Sequence, residues 1–162
     1  MKKVAWCLWL ALAMPSMAMG LERSDGAYYC AVNFAGGIAY NDTLKRWEGA
    51  LFNPSGNFVA KLSFHESKKK SIGSFTFDLD EYDVTITEER DNSVTDNCLH
   101  DKKPPTNEEK FGMSCNTGLK EYKFNFDNHR FMKIYTEGYV TGVDNNNDTP
   151  AISGGLCTKI SQ

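Results

Sequence analysis

No stretch of this chain carries a G-x-S-x-G nucleophile elbow, a phosphate-binding glycine loop or a dinucleotide fingerprint. The first absence removes the arrangement in which a strained turn presents a catalytic serine; the other two remove the glycine geometries that bring backbone N–H groups onto a phosphate. Histidine is scarce. His65 falls on a strand's polar face, His100 in a polar loop and His129 in a turn, with nothing to converge a base on a nucleophile. There is no C-x-x-C pair, and the histidines are not spaced with the cysteines as in a zinc motif, so neither a redox dithiol nor a zinc site is expected. Carboxylate pairs are uninformative, because 21 acids leave many pairs that could meet in space. No catalytic residue and no cofactor is therefore assigned.

Long apolar runs are also missing after the first twenty residues. Lys2-Lys3, the apolar run Val4–Met14, Pro15 and the small residues Ser16, Ala18 and Gly20 read as an export signal. Cleavage after Ala18 or after Gly20 both fit the small-residue rule. The apolar run is too short for a permanent membrane helix, and Cys7 lies inside it, which rules out a lipid-anchored cysteine after the cut. The expected organisation is a cleaved signal over residues 1–20 and one exported domain over 21–162, periplasmic or secreted. Removing the signal leaves 16 basic against 21 acidic residues, a net charge of about −5. Nucleic acid and anionic membrane surfaces both reward positive charge and are not expected as partners.

What is present is cysteine, aromatics and alternation. Cys30, Cys98, Cys115 and Cys157 remain after the signal, and an oxidising compartment predicts two disulfides. Of three connectivities, Cys98–Cys115 and Cys30–Cys157 are favoured. The first staples the base of a polar excursion, Asp91–Lys110, with its Pro104-Pro105 pair; the second ties the first strand to the last.

Period-2 patterns recur along the chain. Ala27–Phe34 is aromatic and β-rich. Lys45–Phe52 alternates at Trp47, Gly49 and Leu51, though Leu44, Trp47 and Leu51 also fit a helix; Gly49 and the short length favour a strand. Phe58, Ala60, Leu62 and Phe64 define one inward face, Phe75 and Phe77 a second, and Tyr82, Val84 and Ile86 a third. Asp80-Glu81 is read as a join between the last two, and Lys68-Lys69-Lys70 as a solvated hairpin tip. In Lys120–Gly138 a turn around Asp127-Asn128-His129 is expected to set Phe126 opposite Met132 and Phe124 opposite Ile134, a continuous apolar face. Phe111–Cys115 and Ala151–Ile160 complete the set.

The pattern predicts an all-β, single antiparallel domain of about eight or nine strands, a small closed barrel in preference to a sandwich, stapled by disulfides. Its strands are too short and too charged on their second face for a membrane-spanning barrel. Asp144-Asn145-Asn146-Asn147-Asp148 starts like a calcium loop, with Asp144, Asn146 and Asp148 as weak candidate ligands. Thr149 stands where the loop needs Gly, and Gly155 where it needs the closing Glu, so no metal is assigned.

Gly36-Gly37-Ile38-Ala39-Tyr40, Trp47, Phe52, Phe58, Tyr122–Phe131, Asp148-Thr149-Pro150 and Gly154-Gly155-Leu156-Cys157 together look like a group of small exported bacterial proteins of unknown function. The likeness covers most of the mature chain. It implies an exported, cysteine-bearing β domain and transfers no active site or ligand. The expected function is a non-catalytic binding module for a macromolecule, a protein or an envelope polymer, with Trp47 and Tyr139 as candidate anchors. The alternatives are a small-ligand carrier of lipocalin-like architecture and a hydrolase acting on envelope material.

Overall fold

A computed structural model of the chain describes residues 24–89, 95–107 and 112–160. The expected signal lies outside them, as do the flanks of the polar excursion at 90–94 and 108–111.

Ten antiparallel strands form one sheet: β1 (Gly26–Asn41), β2 (Arg46–Phe52), β3 (Phe58–Ile72), β4 (Phe75–Glu88), β5 (Thr95–Cys98), β6 (Thr106–Asn107), β7 (Met113–Thr117), β8 (Lys120–Asn125), β9 (Arg130–Tyr135) and β10 (Ala151–Ile160). No α-helix occurs among the described residues, only a 3-10 turn at Tyr139–Thr141. The main path runs β5-β4-β3-β1-β10-β9-β8-β7, with β2 added to β1 and β6 to β4.

A closed barrel was expected, and the sheet is not closed. Its end strands share no ladder. They meet at one isolated bridge, Leu99 with Asn116, and at the Cys98–Cys115 disulfide beside it. The reason is overlap: the facing edges of β5, four residues laddered to β4, and β7, five residues laddered to β8, come into register at that one bridge, and no ladder develops from it among the described residues. The second disulfide joins Cys30 to Cys157, which face each other in the β1–β10 ladder. Both expected pairings are present.

The core gathers the inward faces. Phe58, Ala60 and Leu62 of β3 and Tyr82, Val84 and Ile86 of β4 are buried, as their alternation predicts. Phe58 meets Tyr122, Phe124 and Phe131 edge-on, at centroid distances of 5.2, 6.1 and 4.9 Å. Tyr122, Phe124 and Phe126 stack nearly parallel along β8, a favourable offset arrangement for aromatic rings.

The β8–β9 hairpin corrects the expected register. Phe124 pairs with Phe131 and Tyr122 with Lys133, across a four-residue loop, Phe126–His129. The Asn125 side chain accepts the N–H groups of Asp127 and Asn128, and His129 takes a positive φ of 60°, which together set that loop. Lys133 therefore points inward and Met132 and Ile134 do not join the predicted apolar face. Its ammonium is satisfied there: it donates to the Gly56 carbonyl at 3.0 Å, lies 3.6 Å from Glu88 and sits over the Phe58 ring.

The third correction concerns β3 and β4. They form one continuous hairpin, and the lysines lie within β3, not at its tip. Asp80 and Glu81 are laddered to Ser67 and Glu66 instead of joining two strands. Neither β1 nor β6 reaches the distal part, so among the described residues Lys68–Ile72 and Phe75–Leu79 ladder only with each other. Phe75 and Phe77, expected inside, are consequently exposed. Alternation places residues on a common face; it does not supply the layer that would cover it.

Candidate binding surfaces

The two predicted anchors and the three predicted oxygen ligands come together at one end of the sheet. Beyond its pairing with β3, β1 runs on as a hairpin with β2, in which Tyr40 faces Trp47. Their rings meet at 5.7 Å, and Tyr139, from the 3-10 turn, stands perpendicular to Trp47 at 5.6 Å. Tyr139 is exposed, whereas Trp47 is half-buried beneath it.

The segment after Tyr139 is pinned to this hairpin. Asp144 accepts the Trp47 indole N–H at 2.9 Å. Asn146 accepts the Tyr40 N–H and donates to the Tyr40 carbonyl, both at 2.8 Å, as a neighbouring strand would. Asp148 accepts the Tyr135 hydroxyl. Gly138 makes the turn possible: its φ is 84°, and a Cβ there would collide with the Asp148 carbonyl. Asp144, Asn146 and Asp148 thus spend their oxygens on three different protein donors. Chemically this loop is a latch.

The tyrosines register these contacts. Burial, then the charges of Asp144 and Asp42, push the Tyr40 hydroxyl up. The hydrogen bond to Asp148, followed by burial, raises Tyr135 to about 12.

A possible cation set among the described residues is His65, Glu66 and Glu81, at the bulge between Phe64 and Glu66. A lysine already fills it. The Lys68 ammonium lies 2.8 Å from both Glu81 oxygens and 3.0 Å from Glu66, and His65 Nδ1 lies 3.2 Å from Asp83. The hydrogen bonds to Glu81 and Glu66 hold Lys68 above its ordinary value. The other two histidines sit on separate elements, His100 beyond β5 and His129 in the β8–β9 loop.

Sequence reasoning missed an internal charge cluster. Glu88 accepts from Lys120 at 2.7 Å and from the Tyr122 hydroxyl at 3.0 Å, with Lys133 nearby. Burial pushes Glu88 up, but the two lysines prevail and its carboxyl sits below the ordinary range. Burial and the Glu88 charge drive Tyr122 strongly upward. Two aromatic strands with lysine at alternate positions gave no hint of which lysines turn inward.

It also missed the β3–β4 arm as a surface. Past the bulge, Lys68, Lys70 and Ile72 pair with Leu79, Phe77 and Phe75 on one face, while Ser67–Asp80 and Ser71–Thr76 hydrogen bonds line the other. Ile72 and Phe75 remain 60% and 77% exposed.

Fold and surfaces together define a class: a small, disulfide-stapled, all-β domain with a packed core and two protruding ribbons. Comparison with protein-family models, curated proteins and solved structures gave no match to this chain.

Proposed function

We propose that the chain is an exported, non-catalytic β domain that binds another protein through the β3–β4 arm. One observation carries this reading: a two-stranded ribbon displays Ile72, Phe75 and Phe77 on a single face that the domain's own core does not use. Contiguous apolar surface of this kind, framed by charged side chains, marks a protein contact. The two disulfides fit an oxidising compartment, and no helix among the described residues is long and apolar enough to cross a membrane.

The alternatives have less behind them. A lipocalin-like carrier needs an open interior, whereas Phe58, Tyr82, Met113, Tyr122 and Phe124 are each at most 2% exposed and fill the space between the sheet's inner faces. A hydrolase that uses a carboxyl as its general acid needs that group raised, whereas Glu88 is shifted the other way. Exposed Tyr139, held perpendicular to Trp47, supports a second, polymer-binding surface, since a sugar ring can stack on one exposed aromatic face.

The test is cross-linking of the mature protein in its own envelope, comparing the parent with the triple variant Ile72→Ser, Phe75→Ser, Phe77→Ser. Loss of a discrete cross-linked species with an unchanged melting curve supports the arm. Retention of that species in the triple variant, and its loss on Tyr139→Ala, would transfer the role to the aromatic end.

A further inference from the structure

The outer wall of the sheet, away from both ribbons, carries a groove of about 580 Å³ where β8, β9, β10 and β1 run side by side. Two cross-strand rows build it. Lys123, Met132, Gly154 and Phe34 form one row; Asn125, Arg130 and Leu156 form the next. The bulge in β1 between Val32 and Phe34 puts the Phe34 ring over Gly154, where a Cβ would come within 2.5 Å of the ring. Glycine at 154 therefore keeps the floor flat and lets the ring lean across it.

The lining is apolar at its centre and cationic at its rim. Phe34, Leu156 and Met132 are 57%, 49% and 39% exposed, which is unusual for three neighbouring large side chains of a small domain. No acidic residue lines the groove, although the chain has 21 acids. Lys123 lies 3.2 Å from Glu121, while the Arg130 guanidinium makes no ion pair among the described residues. A planar cation beside an exposed apolar surface suits a ligand with one anionic group on an apolar body.

We infer that this groove binds a small amphiphilic anion, its apolar body against Phe34, Met132 and Leu156 and its acid group at Arg130. The glycine pair Gly154-Gly155 ahead of Leu156 then has a ligand-binding role as well as a packing one. This site is independent of the arm, and neither reading depends on the other.

The experiment uses the mature, oxidised protein and two shape-matched probe pairs, each an anion with an uncharged relative. Anilinonaphthalene sulfonate and its uncharged relative phenylnaphthylamine represent an aromatic body; laurate and lauryl alcohol represent an acyl chain. Titrations are followed by amide-shift mapping. At least one anion should bind more tightly than its neutral partner, with shifts centred on Phe34, Arg130, Met132 and Leu156. Arg130→Gln should weaken that anion by roughly tenfold, the scale of one charge-assisted hydrogen bond, and leave the neutral partner unchanged. Leu156→Ser should weaken both members of the pair. Binding of the sulfonate alone would identify an aromatic acid as the ligand chemistry, and binding of laurate alone a fatty-acid type. Equal affinities for charged and neutral probes, insensitivity to Arg130→Gln, shifts centred on Ile72–Phe77, or no binding of either anion would each overturn the proposal.

Discussion

The β1–β2 hairpin and the β3–β4 arm both run past the sheet at opposite ends of the β1–β3 pairing, the hairpin with β10 still alongside its base at Ala35, Gly36 and Gly37. An isolated hairpin is marginal in water, so each needs support beyond its own ladder. The first obtains it from a latch: Asp144 and Asn146 bond to Trp47 and to the Tyr40 backbone, and Tyr139 covers the indole. The second draws, among the described residues, on the short β6 ladder and the Lys68–Glu81 and Lys68–Glu66 pairs at its root, and on hydroxyl contacts such as Ser71–Thr76 near its tip. The Lys68–Glu66 pair and the hydroxyl contacts are exposed and contribute little, whereas Lys68 reaches a buried carboxylate at Glu81. Aromatics on the latched ribbon are tied into the fold, whereas Phe75 on the arm stays 77% exposed.

The largest expected effects lie at the roots of the ribbons. Cys30–Cys157 joins β1 to β10 beneath the latched hairpin, and Cys98–Cys115 secures β5, the strand laddered to β4. Their sequence separations are 127 and 17 residues. Loop entropy assigns about 5 kcal/mol to the long loop and about 3 kcal/mol to the short one. Replacing Cys30 and Cys157 by Ser should thus lower the denaturant midpoint more than replacing Cys98 and Cys115. The reverse order would mean that the seam, not loop length, governs stability. Only the second pair of changes should locally speed hydrogen exchange at Leu99 and Asn116, whose mutual bridge is the seam's one backbone contact among the described residues.

Next comes the latch itself. Trp47→Ala removes two ring contacts and leaves Asp144 without its donor, and should cost about 2–3 kcal/mol in a denaturant melt. A cost near zero would erase the distinction between the two ribbons.

A smaller effect should appear at alkaline pH. Tyr135 has a folded pKa of about 12 against an ordinary value of 10.0. A raised folded pKa means its stabilising contribution is complete below pH 10 and is lost as pH rises toward 12. Tyr135→Phe should flatten part of the fall in melting temperature across that window and remove one late-titrating group from the tyrosinate absorbance. Tyr40 and Tyr122, also raised, should keep the remainder of the slope. An identical alkaline profile in the variant would count against the Asp148 contact.

The smallest effect is expected on the arm. Phe75→Ala removes a ring that is 77% exposed, and should change stability by no more than about 0.5 kcal/mol. A loss above 1–2 kcal/mol, the range of a buried contact, would show that the arm folds back on its own domain.

Several features were readable from residue order because they depend on local chemistry. The four cysteines after residue 20 form two disulfides, one at the polar excursion and one joining first strand to last, as their positions in the chain suggest. Alternation located β10 at Ala151–Ile160 and the buried face of Phe58, Ala60 and Leu62. The expected anchors and oxygen ligands also fell into one cluster, although nothing in their spacing revealed that the oxygens would face protein donors. The arm's surface was hidden because Phe75 and Phe77 carry the same alternation as a core strand. The groove was hidden because Phe34, Met132 and Leu156 stand on three strands distant in sequence.

By itself, then, the sequence determined the class of the protein: antiparallel β, two staples, and a set of strands each with one apolar face. Period-2 side-chain geometry and thiol chemistry suffice for that. Tertiary structure decided which apolar faces are covered, turning Lys133 inward beneath Glu88 and leaving Phe75 outside, and it decided that the sheet stays open at the β5–β7 seam. Those outcomes depend on register and on strand length relative to neighbours, quantities set by long-range pairing that no local pattern encodes.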